Sequence, residues 1–183
     1  MKWLFLLLIF LLVSCSQQDS QLTAEEIAQI KKNIIESSEA HAQAIENLDY
    51  EESMKYYGGV EDFVIFGDGY YWGDYKTGEA IWKDFLNPKI WKGKFKWDLS
   101  NHKIHVLSKD AASYLVEFDH ERISIDEDTT KGHGSFSYGM KKIGGNWKIV
   151  TVHVTQNYAR YDENGELRKW WLYYSPENRN KTE

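Results

Sequence analysis

The sequence predicts an α+β fold in which three N-terminal helices pack on a strongly curved, mostly antiparallel sheet. Thr23 and Glu26 have the spacing of a capping box and precede a long segment with helical periodicity. After Pro88 the hydrophobic period changes to the two-residue alternation of strands. With 183 residues, 42% of them hydrophobic, the chain is large enough for one core and too short for two.

The first helix is expected over residues 24 to about 47, with a buried stripe that turns polar halfway along. The stripe comprises Ile27, Ile30, Ile34, Ser38, His41, Ile45 and Leu48. His41 is therefore either a half-exposed ring with a structural partner or a ring that points into an internal hollow. Asp49 is expected to cap a second, shorter helix, and Thr77 a third that ends before Pro88.

Two short strands are expected around Phe63 and Trp72, joined by the turn Gly67-Asp68-Gly69. Longer strands follow, with turns at Lys109-Asp110 and Gly144-Gly145. A last hairpin is expected over residues 158–174, before a polar tail at 175–183. These elements predict an antiparallel meander after the helices.

The strand at residues 147–156 is expected at the centre of the sheet, because no charged residue occurs in the eleven positions after Lys148. Strict alternation gives two faces. One carries Val150, Val152 and Val154, and the other carries Ile149, Thr151, His153 and Thr155. The pattern therefore predicts a polar-lined hollow against the second face.

The N-terminus has the pattern of an export signal: Lys2, eleven apolar residues at 3–13, and a small residue before Cys15. Eleven residues are too few for a membrane-spanning helix. Leu12-Val13-Ser14-Cys15 resembles the bacterial lipobox, which implies removal of residues 1–14 and lipidation of Cys15. An ordinary signal peptide with an incidental cysteine is the alternative. Cys15 is the single cysteine, so the chain forms no internal disulfide.

Residues 15–22 would then tether a domain at 23–174 to a membrane of the bacterial cell envelope. Which membrane, and which side of it, stays open. The formal net charge of −6 becomes −7 when Lys2 is removed. An acidic domain argues against nucleic acid or an anionic lipid surface as a partner.

From about residue 23 to 174 the chain resembles the NTF2-like superfamily, specifically its SnoaL-like and DUF4440 group. The matching segments are Asn47-Leu48-Asp49, residues 63–69, Trp82, and Trp147-Lys148-Ile149-Val150 followed by His153 and Thr155. Residues 161–167 resemble the group's closing hairpin, with Glu166 where a lysine is usual, and Thr151 stands where members often carry a second histidine.

The resemblance implies a conical cavity between the helices and the concave face of the sheet. The concave face would carry Thr151, His153 and Thr155. It also implies a homodimer through the outer face, with Val150, Val152 and Val154 in the interface, although the chain's own C-terminal hairpin would cover those valines equally well.

His153 is the candidate catalytic base or orienting group, and Asp62 a candidate acid beside it, with Glu117 and Asp119 as alternatives. A His153 held only by a neighbouring strand is an equal alternative. The expected ligand contacts are His41, Ile45, Phe63, Trp72, Trp82, Trp97, Tyr138, Thr151 and Thr155.

No cofactor or metal is expected. His102 and His105 lie on opposite faces of a strand, and no nucleophile elbow or phosphate loop occurs. Three functions stay open: a non-catalytic binder of a small apolar or amphipathic molecule, an isomerase-like enzyme that uses His153, and a dimerisation module whose cavity is filled.

Overall fold

The computed structural model describes residues 22–161 and 167–168, with side chains up to Gln156. The predicted signal peptide, Cys15, the turn at 162–165 and the tail at 175–183 lie outside the described residues. In the part that is described, no helix is both long and apolar enough to cross a membrane.

Three helices form, and each begins at a side-chain cap. The helix α1 (Ala24–Glu46) has the predicted capping box: the Thr23 hydroxyl accepts from the Glu26 N–H at 3.2 Å, and the Glu26 carboxylate accepts from the Thr23 N–H at 2.8 Å. Asp49 caps α2 (Tyr50–Met54) as expected. The third helix, α3 (Tyr75–Phe85), begins before Thr77 because Asp74 is its cap.

Seven strands form one sheet. They are β1 (Val64–Gly67), β2 (Tyr70–Gly73), β3 (Lys96–Ser108), β4 (Ala111–Ile123), β5 (Thr129–Ile143), β6 (Asn146–Tyr161) and β7 (Leu167–Arg168). Their order is β2-β1-β6-β5-β4-β3, and β7 pairs with the end of β6. Every pairing is antiparallel except β1 with β6. The predicted fold class is therefore confirmed, with β6 near the centre of the sheet.

The core lies between the helices and the concave face of the sheet. It is built on alternate residues of the long strands, such as Tyr114, Val116 and Phe118 of β4. Glycine is required at position 134 of β5, because an added Cβ would lie 2.3 Å from the Thr155 carbonyl oxygen and 2.7 Å from the Phe118 ring. At this position β5 therefore lies too close to β6 and to the Phe118 ring for any side chain.

A β-bulge in β6 overturns the predicted alternation. Met140 of β5 pairs with Ile149, but Gly139 pairs with Thr151, so Val150 is the extra residue. The bulge reverses the orientation of the residues after it. Trp147, Ile149, Val152 and Val154 consequently face the core, whereas His153 and Thr155 are exposed on the outer face.

Two predictions made from strict alternation are therefore wrong. Thr151, His153 and Thr155 do not line the concave face. Val152 and Val154 are 5% and 2% exposed within this chain's own core, so they are not available to a second subunit. Half-buried Val150 packs toward Gly58, where an added Cβ would lie 3.1 Å from its Cγ1.

Candidate functional site

The polar middle of the α1 stripe faces the interior. Ile34, His41 and Ile45 are buried, and half-buried Ser38 lies between them on the same side of the helix. Ser38 and His41 line a small hollow, here called the α1 hollow. Its lining residues are Ser37, Ser38, His41, Tyr56, Tyr114, Tyr138, Met140 and Ile149. Of the two alternatives for His41, the structure has the ring in the interior, and Tyr138 lies there too; ligand contact by either residue stays a prediction.

His41 is held by one hydrogen bond and by aromatic rings. Its Nε2 lies 3.0 Å from the hydroxyl of Ser53, a fully buried residue of α2. The rings of Tyr56, Tyr57 and Trp82 lie 5.3, 5.2 and 5.8 Å from the imidazole. Burial lowers the pKa of His41 to about 3, so the ring is neutral near pH 7. A neutral imidazole donates from one nitrogen and accepts at the other.

Tyr114 lies at the centre of a second polar chain. Its hydroxyl donates to the Ser38 hydroxyl at 3.1 Å and lies 2.7 Å from His102 Nδ1. The phenol has one proton and its oxygen can also accept, so Tyr114 joins Ser38 and His102 in one hydrogen-bonded chain. Burial raises the pKa of Tyr114 to about 12, so the hydroxyl keeps its proton at ordinary pH.

Tyr57 adds a third polar group beneath α1. Its hydroxyl is buried and makes no hydrogen bond of ordinary geometry with any described residue, although the Trp82 indole is near enough to lower its pKa. Burial outweighs that effect and raises the pKa of Tyr57 well above its usual value. This buried hydroxyl therefore keeps its proton at ordinary pH, and its ring lies 5.2 Å from the His41 imidazole.

The α1 hollow is small. Its volume is about 10 Å³, close to the minimum that holds one water molecule. Pockets for drug-sized ligands are roughly 300–1,000 Å³. The rings of the core occupy the rest of the space, as where Trp97 stacks on Phe118 at 5.0 Å. The predicted open, conical cavity is thus filled by side chains in this structure.

The predicted ligand-contact residues divide into two groups. His41 and Tyr138 line the α1 hollow. Trp82 packs against the His41 ring, and buried Ile45 lies one helical turn from His41. The other predicted aromatic residues lie elsewhere. Phe63 packs on Tyr57 and Tyr75, Trp72 lies against Gly67, and Trp97 lies among Phe85, Phe118 and His120.

The predicted catalytic pair is not assembled. His153 is exposed and pairs with Ser137 and Phe66 on the outer face of the sheet. Asp62 is exposed in the turn that precedes β1. Among the described residues that line the α1 hollow there is no carboxylate. The expectation that His153 borders an internal hollow is wrong, and the bulge at Val150 is the reason.

Sequence reasoning missed three polar residues of this region: Ser53, Tyr114 as a hydrogen-bonding group, and His102. Tyr114 could have been found, because the alternation of β4 already placed it on the buried face opposite the Ser38–His41 stripe. Ser53 carried no such signal, since α2 has only five residues. His102 and His105 do face opposite sides of β3, as predicted.

A second depression, of about 370 Å³, lies over the far end of the sheet. It is open, and it is lined by Lys96, Asp98, Asp119, His120, Glu121, Lys131, Gly132 and His133. Lys96 pairs with Asp98 at 3.1 Å, and Lys131 pairs with Glu121 at 3.1 Å. His133 Nδ1 lies 3.0 Å from Asp119. These charges largely neutralise one another, and within the described ranges no group of His, Cys, Asp and Glu has the geometry of a metal site.

The fold and the α1 hollow define a helix-covered, curved-sheet domain with an aromatic interior, and the comparisons give its family. The chain belongs to the SnoaL-like domain family, whose model matches residues 34–158. A comparison with curated protein sequences finds no match.

Solved structures share the fold at low sequence identity. A candidate scytalone dehydratase from Novosphingobium aromaticivorans superposes with a TM-score of 0.67 at 13% identity, over 80% of this chain and 97% of that chain. An NTF2-like protein of unknown function from Shewanella oneidensis superposes with a TM-score of 0.55 at 22% identity, over 68% of this chain and 97% of that chain. A hexachlorocyclohexane dehydrochlorinase, LinA-type3, from Novosphingobium barchaimii superposes with a TM-score of 0.62 at 9% identity, over 80% of this chain and 99% of that chain. These likenesses establish the NTF2-like fold and leave the activity open.

Proposed function

We propose that this chain is a lipid-anchored SnoaL-like domain of the bacterial cell envelope, which binds a small apolar or amphipathic molecule at the α1 hollow without converting it. The observation that carries this proposal is a set of neutral polar groups, His41, Tyr57 and Tyr114, among aromatic rings. Such a site orients one polar edge of an otherwise apolar ligand.

The lack of a charged group supports binding rather than catalysis. Proton abstraction next to a carbonyl needs a base whose pKa lies near the working pH, and His41 has a pKa of about 3. An isomerase-like site needs a carboxylate base as well, and none of the described lining residues supplies one. The enzyme hypothesis based on His153 loses its support because that ring is on the outer face.

A ring-sized ligand needs more space than the structure leaves. Half-buried Tyr56 lies at the rim of the hollow and half-buried Trp82 lies behind His41, so these two side chains are the ones that would move. Binding would then require these two rings to leave the space that they occupy in this structure.

The test is thermal unfolding with progesterone, emodin and palmitate as separate probes. A probe that binds the folded chain raises its melting temperature. Ser38→Phe should abolish the shift by filling the hollow, whereas Ala40→Phe, which adds the same ring at an exposed position of the same helix, should retain it. A shift that persists unchanged in Ser38→Phe would place the site elsewhere and overturn the proposal.

Lipidation is tested separately. Cys15→Ser should move the protein from the membrane fraction to the soluble fraction after export, and the wild-type intact mass should exceed the polypeptide mass by the acyl groups. A wild-type protein without added acyl mass would refute the anchor. The narrower assignment to the DUF4440 group remains part of this proposal.

A second candidate function is a dimerisation module with a filled interior. The small hollow favours it, as does a row of outer-face residues at one register: Leu115, Ser137, His153 and Phe66. Leu115 and Phe66 are 46% and 42% exposed, large values for apolar side chains on a sheet. This row replaces the valines that the sequence had suggested for a homodimer interface.

A further inference from the structure

We propose that the tips of the β3–β4 and β5–β6 hairpins form a docking surface for an anionic phospholipid bilayer, an inference that rests on the proposed lipid anchor. The surface, here called the hairpin-tip patch, comprises Leu107, Lys109, Lys141, Lys142 and Lys148. The two tips are contiguous, because the Lys142 N–H donates to the Asp110 carbonyl at 2.8 Å and Lys141 pairs with both Ala111 and Lys148.

The patch is strongly basic within an acidic protein. Residues 103–111 and 140–148 contain five lysines and a single acid, Asp110, in a chain whose net charge is −6. Although the whole chain is acidic, positive charge is therefore concentrated at the two hairpin tips. Lys141 and Lys148 lie directly opposite each other across two strands, an arrangement that is unfavourable without a counter-charge.

No described residue supplies that counter-charge. Lys109, Lys141, Lys142 and Lys148 form no ion pair with any residue in the described ranges, and Lys148 instead donates to the Lys55 carbonyl. Leu107, at the end of β3, is 63% exposed. An exposed leucine beside unpaired lysines suits the boundary between lipid headgroups and acyl chains.

The course of α1 brings the tether to the same end of the molecule. At one end of α1, the Glu46 carbonyl accepts from the Phe95 N–H, next to the start of β3. Nine residues earlier, Ser37 lines the hollow with Met140, the residue before Lys141. The thirteen residues from Ser37 back to Ala24 extend about 20 Å further in that direction. None of residues 24–33 is fully buried, although half-buried Ile30 still packs against the core.

The length of the tether limits how far the patch can be from the membrane. Cys15 and Ala24 are nine residues apart, a span of at most about 30 Å when fully extended. Besides Asp110, the exposed acids Glu25 and Glu26 lie in the first turn of α1, where the helix dipole stabilises them. A single lipid attachment gives marginal binding, so a basic patch that faces the bilayer supplies a second signal.

The experiment uses the full-length protein produced with its signal and purified in detergent. Asn146→Cys, at the exposed start of β6, carries a bimane fluorophore and is mixed with phosphatidylglycerol–phosphatidylcholine vesicles or with pure phosphatidylcholine vesicles. We expect a blue shift and quenching by doxyl-labelled lipid with the anionic vesicles only, reversed by about 0.5 M NaCl, where the screening length is only a few Å. Asp126→Cys, in the turn at the opposite end of β4, should show neither.

Two triple variants with the same loss of charge provide the matched control. Lys109, Lys141 and Lys142 changed to Gln should lose the fluorescence response. Lys76, Lys89 and Lys94 are exposed, form no described ion pair and lie away from the tips, so their change to Gln should leave the response intact. Equal responses from the two variants, or capture of an acidic protein without any response to vesicles, would overturn the proposal.

Intact mass, measured on the same sample, separates docking from anchoring. An acylated protein whose fluorophore ignores anionic vesicles refutes the patch and leaves the anchor. A protein without acyl groups that still gives a salt-sensitive response refutes the anchor and supports the patch. A protein with neither property refutes both.

Discussion

His41 Nε2 lies 3.0 Å from the Ser53 hydroxyl, and this contact joins the middle of α1 to α2 inside the core. The two residues are twelve positions apart, and both are almost completely buried. A polar pair so enclosed needs each partner, because a lone buried donor or acceptor loses its hydration without compensation.

Ser53→Ala should therefore destabilise the protein by about 1–3 kcal/mol, since the His41 nitrogen is left without its partner. Urea unfolding measures the change. In the double variant His41→Leu/Ser53→Ala the loss should be smaller than the sum of the single losses, because one apolar pair replaces one polar pair. Additive losses would show that the two side chains do not interact in solution. Ser37→Ala, on the same helix, should stay within about 0.5 kcal/mol.

Two buried histidines should make the stability depend on pH. Burial lowers the pKa of His41 to about 3, and burial together with the nearby Arg122 charge lowers the pKa of His120 to about 3, from the usual 6.5. Between these values the unfolded chain binds protons that the folded chain does not bind. Stability should be complete above about pH 6.5 and decline toward pH 3, by on the order of 1 kcal/mol per pH unit for each histidine.

Urea midpoints at pH 7, 6, 5 and 4 test this dependence. His41→Leu should reduce the slope between pH 6 and pH 4 by about half, because one of the two titrating groups is removed. His105→Gln changes an exposed histidine of β3 and should leave the slope unaltered. An equal slope in wild type and His41→Leu would contradict the buried, neutral state of His41.

Gly134→Ala should be among the most damaging small substitutions in the sheet. The added Cβ would lie 2.3 Å from a backbone oxygen of β6, and a backbone atom cannot move aside as a flexible side chain can. We expect a loss of about 2–3 kcal/mol in urea unfolding. Ser135→Ala, at the adjacent exposed position, is the control and should be nearly neutral. A neutral Gly134→Ala would contradict the close approach of β5 to the Thr155 carbonyl.

Ligand binding should depend on Tyr114 and not on His153. Tyr114→Phe removes the hydroxyl that joins Ser38 to His102, so the melting-temperature shift caused by the active probe should fall by at least half. His153→Ala should leave the shift unchanged, because that ring lies on the opposite face of the sheet. The reverse result would place the ligand on the outer face.

Self-association should depend on the apolar members of the outer-face row. Phe66→Ser and Leu115→Ser remove exposed apolar surface on both sides of His153, and neither side chain is in the core. If the second candidate function is correct, sedimentation velocity should show a dimer for wild type and a monomer for the double variant. Tyr70→Ser, at a still more exposed position on β2, is the control and should keep the dimer. A monomeric wild-type protein would exclude this function.

The fold was largely predictable because its signals are local. The capping box at Thr23, the glycine turn at Gly144 and the change of period after Pro88 each depend on a few neighbouring residues, and each has its counterpart in the structure. The stripe that turns polar at Ser38 and His41 likewise identified the buried face of α1.

The site was less predictable because it depends on register. One unpaired residue, Val150, decides whether His153 faces the core or the solvent. A valine at this position does not indicate a bulge in the sequence. The partnership of His41 with Ser53 depends on the packing of two helices, which periodicity does not report. Whether large rings leave a void or fill it is a matter of packed volume, and a list of aromatic residues carries no information about it.

The extra residue in β6 also divides the strand into two halves, and the residues after Val150 could change their pairing register while those before it keep theirs. Up to Ile149, the side chains of Trp147 and Ile149 pack in the core beneath α1. After the bulge, Val152 and Val154 pack in the core, and His153 and Thr155 face outward. If the bulge were removed by pairing Val150 with Gly139, every later residue of β6 would shift by one position and turn over, which would bring an imidazole and two threonine hydroxyls beneath the helices in place of two valines. A shift of one residue in register therefore separates the apolar lining of this protein from a lining that could support acid–base chemistry.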